Sequence, residues 1–124
     1  FNFNAVAAIC PAVDLLSPNL LMNVNVPVLL GDKWRKSKYK KYLDVNRIIS
    51  KNFPPFYVNT ARNDFLKKQC YKLKDILERN NIEHKFHDFD KPLSHVFNVV
   101  DPFSKYGDMA NTEIAEFFKS RIKK

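Results

Sequence analysis

At 124 residues, with 45% hydrophobic and 14% aromatic content, the chain suits one ordinary domain with a packed core and excludes a disordered tail. No stretch approaches the ~20 apolar residues of a membrane-spanning helix, and two cysteines are too few for a disulfide framework. Much of the net charge of +8 lies in Lys33-Trp34-Arg35-Lys36-Ser37-Lys38-Tyr39-Lys40-Lys41, which reads first as a solvated helix face; no nucleic-acid motif accompanies it, so no nucleic-acid partner is expected.

The sequence opens at Phe1-Asn2-Phe3-Asn4 without a starting Met. It reads as the interior of a longer chain, with any targeting signal upstream. Ala5 to Cys10 is an unbroken apolar run stopped by Pro11, the pattern of a central parallel strand covered on both faces. Residues 11 to 32, with prolines at 11, 18 and 27, read as an irregular excursion. From Lys33 to Ser50, Trp34, Tyr42, Leu43, Ile48 and Ile49 recur among charges and predict a helix, broken at Asn52-Phe53-Pro54-Pro55. Phe56-Tyr57-Val58 is a second buried strand. Leu66, Cys70, Leu73 and Leu77 then mark one face of a clear helix ended by Asn80-Asn81. Ile82 to Phe89 is a third strand, poorer in apolar residues and so nearer an edge. After a loop through Asp90-Lys91-Pro92, Asn111-Thr112-Glu113 offers an N-cap to a last helix striped by Ile114, Phe117, Phe118 and Ile122.

This order is an α/β alternation with a parallel sheet. Three strands make a meagre parallel sheet, because both faces must be covered, and a front half is expected upstream. Cys10 and Cys70 read as two buried free thiols, which points to a reducing, cytoplasmic compartment.

In open parallel sheets, functional groups gather at the carboxyl ends of the strands. Asp64 follows the second strand and His95 follows the third. A carboxylate beside an imidazole fixes its tautomer and stabilises its cation during proton transfer. Each residue also has a plainer reading: Asp64 as a helix cap, His95 as an ordinary loop histidine. His84 and His87 alternate across the third strand and read as structural. That alternation also splits a metal set of His84, His87 and Asp88 across two faces, so no metal is expected. Asp14 reads as a turn former.

Pro54-Pro55-Phe56-Tyr57-Val58-Asn59-Thr60-Ala61-Arg62-Asn63-Asp64-Phe65-Leu66, the strand Ile82 to Phe89, and Leu93-Ser94-His95-Val96-Phe97 together resemble the closing segments of α/β-hydrolases, in the hormone-sensitive-lipase-like esterase/lipase branch. Ala8-Ile9-Cys10-Pro11-Ala12-Val13-Asp14-Leu15 resembles the strand and loop that follow that family's nucleophile helix. The resemblance implies that residues 1–124 are the C-terminal half of one α/β-hydrolase domain: part of a parallel sheet flanked by helices, with 15–50 as a partial cap or insertion. It implies Asp64 as triad acid and His95 as general base, in the order Ser, Asp, His. It also implies an ester substrate and no cofactor. Leu15, Leu16, Leu20, Leu21 and Met22 become candidates to line the substrate pocket. The chain departs from the family in having no G-x-S-x-G and no Gly-rich oxyanion segment; Gly31 and Gly107 are its two glycines, and neither flanks a serine suitably. Ser94 abuts His95 but lacks the strand-to-helix turn that exposes a nucleophile. The nucleophile is therefore expected on an N-terminal half of the same domain. The alternative is a non-catalytic domain of the same fold whose basic segment holds an anionic partner.

Overall fold

The computed structural model describes residues 3–17 and 26–122. Strand β1 (Val6–Ile9), strand β2 (Phe56–Ala61) and strand β3 (His84–Phe89) form a parallel sheet in the order β1-β2-β3. Val6 pairs with Phe56, and Phe56 with His84. Every residue of β2 is buried, as expected of a strand hydrogen-bonded on both sides and covered on both faces. β1, expected to be central, is instead a half-buried edge strand among the described residues. Its apolar composition therefore exceeds what its present neighbours cover.

Helix α1 (Lys67–Arg79) lies on one face of the sheet. Cys70, Leu73 and Leu77 meet Phe56, Val58, Val13 and Ile82 there, in the main core. The helix stops where expected: Asn80 folds its side chain back onto the Ile76 carbonyl at 2.8 Å, and Asn81 takes the left-handed backbone (φ 54°) common just past a helix end. A short helix α2 (Phe97–Val100) and a long helix α3 (Lys105–Lys119) close the chain. α3 covers the other face, where Phe117 meets Tyr57 edge-on with ring centroids 6.0 Å apart. Ala61, Phe89, Phe97 and Ala110 form a second core cluster beside them.

Two expectations about helices fail, each for a local reason. α3 begins well before Asn111. Ser104 caps it by accepting the Gly107 N–H at 3.1 Å, while the Asn111 amide is engaged with Asn98 at 2.9 and 3.0 Å and caps nothing. Phe117 is buried as predicted, but Ile122 is 63% exposed. Residues 33–50 form three separate 3-10 turns, Trp34–Lys36, Lys38–Leu43 and Val45–Arg47. Ser37 and Asp44 interrupt them with extended backbone, and each side chain accepts the N–H two residues on. Such local side-chain bonds compete with a continuous helix. Trp34 and Leu43 pack with Val26, and Leu15, Leu16 and Leu30 lie against them, so this segment has its own small core.

Candidate active site

The turn leaving β2 carries Asp64, whose side chain is wholly buried. Its backbone N–H closes onto the Ala61 carbonyl at 3.2 Å. One carboxylate oxygen, Oδ1, accepts the Leu66 N–H at 2.9 Å, which starts α1. The same oxygen lies 2.8 Å from His95 Nδ1. The other, Oδ2, accepts the Thr60 hydroxyl at 2.7 Å, with the Cys70 thiol at 3.6 Å. Asp64 therefore fixes the turn that leads into α1 and holds the histidine at once, while the N-cap position itself falls on Leu66 and has no side-chain cap.

Burial alone raises the pKa of such a carboxyl. The hydrogen bonds from Thr60, His95, the Leu66 backbone and Cys10 outweigh it and hold Asp64 below the ordinary range. An ionised Asp64 accepts only, so the proton on the His95–Asp64 contact belongs to Nδ1, which leaves Nε2 as the nitrogen facing away from the carboxylate. The His95 side chain is 28% exposed, so this imidazole is held on one side and open on the other. Phe65 lies against it with ring centroids 4.3 Å apart.

The loop that carries His95 is tied to the Asp64 turn. Arg62 and Asn63 donate backbone N–H groups to the Lys91 and Leu93 carbonyls, both at 3.2 Å. The Arg62 guanidinium grips Asp90 at 2.9 and 3.0 Å. Immediately past His95, Val96 adopts left-handed backbone and donates its N–H to Cys10 Sγ at 3.3 Å. Burial pushes the Cys10 thiol up to about 12, so it is a protonated, inert group rather than a nucleophile. Thr60 and Cys10 were not legible as site residues, although both stand at strand ends beside Asp64.

The carboxylates nearer His95 in sequence go elsewhere. Asp88 pairs with Lys67 at 2.7 Å and Tyr71 at 2.6 Å, and Asp90 pairs with Arg62. His84 bonds the Ile82 carbonyl and His87 bonds Glu113, on opposite faces of β3. Asp14 shapes a turn by accepting the Leu16 and Ser17 N–H groups. Among the described residues, the grouping of metal-ligand types that does come together is Cys10, Asp64 and His95. A thiol so hard to ionise fits a metal poorly. Leu15 and Leu16 lie in the small core around Trp34; Leu20, Leu21 and Met22 lie outside the described residues. An open groove of about 760 Å³ runs from Asp64 and Phe65 along α1, but His95 does not line it.

No protein-family model matches this sequence, and no curated protein does. Solved structures share its fold. It superposes on esterase B from Lactobacillus rhamnosis, solved with a tributyrin phosphonate, with a TM-score of 0.83 at 21% identity, over 97% of this chain and 40% of that one. An esterase/lipase from an uncultured bacterium gives 0.72 at 19% identity, over 95% and 43%. The Pyrobaculum calidifontis esterase gives 0.70 at 20%, over 94% and 43%. The chain spans about two-fifths of the length of these structures.

Proposed function

We propose that this chain, whose fold is that of the C-terminal part of α/β-hydrolase esterases, supplies the acid and the general base of a serine ester hydrolase. In this reading residues 1–124 are the C-terminal half of one domain. A preceding half brings the nucleophilic serine, the oxyanion hole and a strand for the open edge of β1. The observation that carries the reading is the 2.8 Å contact between a fully buried Asp64 carboxylate and a partly open His95 imidazole.

The chemistry follows from that arrangement. His95 Nε2 takes the proton of the serine hydroxyl as its oxygen attacks the ester carbonyl. The imidazolium so formed is stabilised by Asp64, which stays ionised. Collapse of the tetrahedral intermediate expels the alcohol, which receives the same proton from His95. Water then repeats the sequence on the acyl enzyme. Residues 15–50 form part of a cap in this reading, with Leu15, Leu16, Leu20, Leu21 and Met22 offered to the substrate. The substrate class is a carboxylic ester, and tributyrin is the natural first choice, since esterase B is solved with a tributyrin phosphonate.

The test uses the full-length protein. A fluorophosphonate should label one serine upstream of Phe1, and His95→Ala should abolish both labelling and ester turnover. Undiminished turnover in that variant would overturn the proposal.

A further inference from the structure

The segment from Lys33 to Lys41 carries six Lys or Arg side chains, at 33, 35, 36, 38, 40 and 41, and no acid. The 3-10 turns hold four of these six cations against aromatic rings. The Arg35 guanidinium lies 4.6 Å from the Trp34 centroid and Lys40 lies 5.9 Å from it. Lys38 sits 5.1 Å from Tyr39 and Lys41 sits 5.0 Å from Tyr42. Tyr39 and Tyr42 remain more than half exposed. With Lys38 and Lys41 they line a shallow cavity of about 260 Å³. Just before Gly31, on the helical turn over residues 26–30, Val28 and Leu29 are 81% and 65% exposed. Large apolar side chains are thus exposed a few residues ahead of a dense cation cluster.

We propose that this surface docks on an anionic lipid–water interface. A lipid phosphate sits in the cavity between the Lys38 and Lys41 ammonium groups, and Val28 and Leu29 enter the boundary of the acyl chains. The composition matches the physics of such an interface. Basic residues are drawn to the negative surface of the bilayer, and the attraction fades within a Debye length. Tyrosine, with an apolar body and a polar tip, is suited to the headgroup level. Apolar insertion beside the charges supplies the second signal that stable peripheral binding needs. A single-stranded nucleic acid fits less well, because it binds by stacking bases on open aromatic faces. Here Trp34 is buried, Tyr39 and Tyr42 each already carry a cation on the ring, and a phosphate backbone has no use for Val28 and Leu29.

The experiment is co-sedimentation of the full-length protein with vesicles of phosphatidylcholine, alone or with about one-third phosphatidylserine. It reads binding, not turnover, so its failure is separate from failure of the hydrolase reading. Binding is expected to the anionic vesicles only, weakening about tenfold or more between ~0.1 M and ~0.5 M salt. The pairs Lys38→Gln with Lys41→Gln and Val28→Ser with Leu29→Ser should each weaken it about tenfold with unchanged circular dichroism. Lys51→Gln with Lys91→Gln, removing the same charge elsewhere, should stay within about twofold. Equal binding to neutral vesicles, no binding to either, tighter binding to a single-stranded oligonucleotide, or full binding by the Lys38/Lys41 pair would each overturn the proposal.

Discussion

The backbone N–H of Val96 reaches the thiol of Cys10 at 3.3 Å, and both residues stand in the left-handed region, with φ of 49° and 46°. Neither is a glycine, and a β-branched residue there is strained, at about 1–2 kcal/mol. The contact ties the end of β1 to the residue after His95. Val96→Gly should relieve part of the strain, leaving stability unchanged or raised by up to about 1 kcal/mol after the added backbone entropy of glycine. Cys10→Ala removes the sulfur acceptor and should cost about 1–3 kcal/mol, from the lost bond and the space left behind. Urea unfolding midpoints of the two variants check both statements.

In the proposed hydrolase, His95→Ala should be the more damaging of the two changes at the pair. His95 itself would carry the proton, and loss of the base in comparable triads costs about 10⁶-fold in turnover. Asp64→Asn reverses the donor and acceptor pattern on Nδ1 and should cost about 10⁴-fold. Asp88→Asn and Asp90→Asn should stay within about tenfold, because their partners are Lys67, Tyr71 and Arg62 rather than His95. Turnover of these four variants on a nitrophenyl ester decides the assignment. The present chain by itself should release no product above a buffer control.

How far the sequence foretold this arrangement depends on the range of the forces involved. The parallel sheet, α1 and the meeting of Asp64 with His95 were legible because short apolar runs, helical spacing and strand-end position are local signals. The break-up of residues 33–50 was not, because Ser37 and Asp44 act through two-residue side-chain bonds that a hydrophobic count ignores. Asn111 resembles a cap in sequence and so points to too late a start for α3, while in space it is paired with Asn98. Thr60 and Cys10 escaped notice because their roles exist only once strands far apart in the chain lie side by side.

Acid should unfold this protein through a few specific carboxylates. In Asp64, Glu113, Asp88 and Asp14, burial raises the pKa but hydrogen bonds and cations outweigh it, leaving each below its ordinary value. His87 and Tyr57 hold Glu113, Lys67 and Tyr71 hold Asp88, and Lys72 holds Asp14. A depressed folded pKa stabilises the protein above the unfolded value and loses that contribution as pH falls through the folded one. Urea midpoints should therefore be insensitive to these groups above about pH 5 and decline steadily below about pH 4. Asp64→Asn should start lower at neutral pH and decline less steeply.

Gly107 sits where α3 leaves its cap. A Cβ there would collide with the Asp101 carbonyl oxygen and crowd Ser104 Oγ. The near atom is backbone, so it cannot swing aside. Gly107→Ala should cost about 1–3 kcal/mol despite alanine's better helix propensity. Thermal melting measures it, and a melting point at or above the parent's would mean that the α2–α3 turn yields freely.

β2 is buried along its whole length and bonded on both sides, whereas Lys91 and Ser94, beside His95, are exposed. The strand that leads to the acid and the loop that carries the base therefore differ in how well they are protected. Amide protons of β2 should exchange with solvent only through global unfolding, and those of the His95 loop through local fluctuations of much lower free energy. Warming should then loosen the imidazole from its carboxylate while the strands are still intact, so that the proposed hydrolase would lose its activity from the histidine side first.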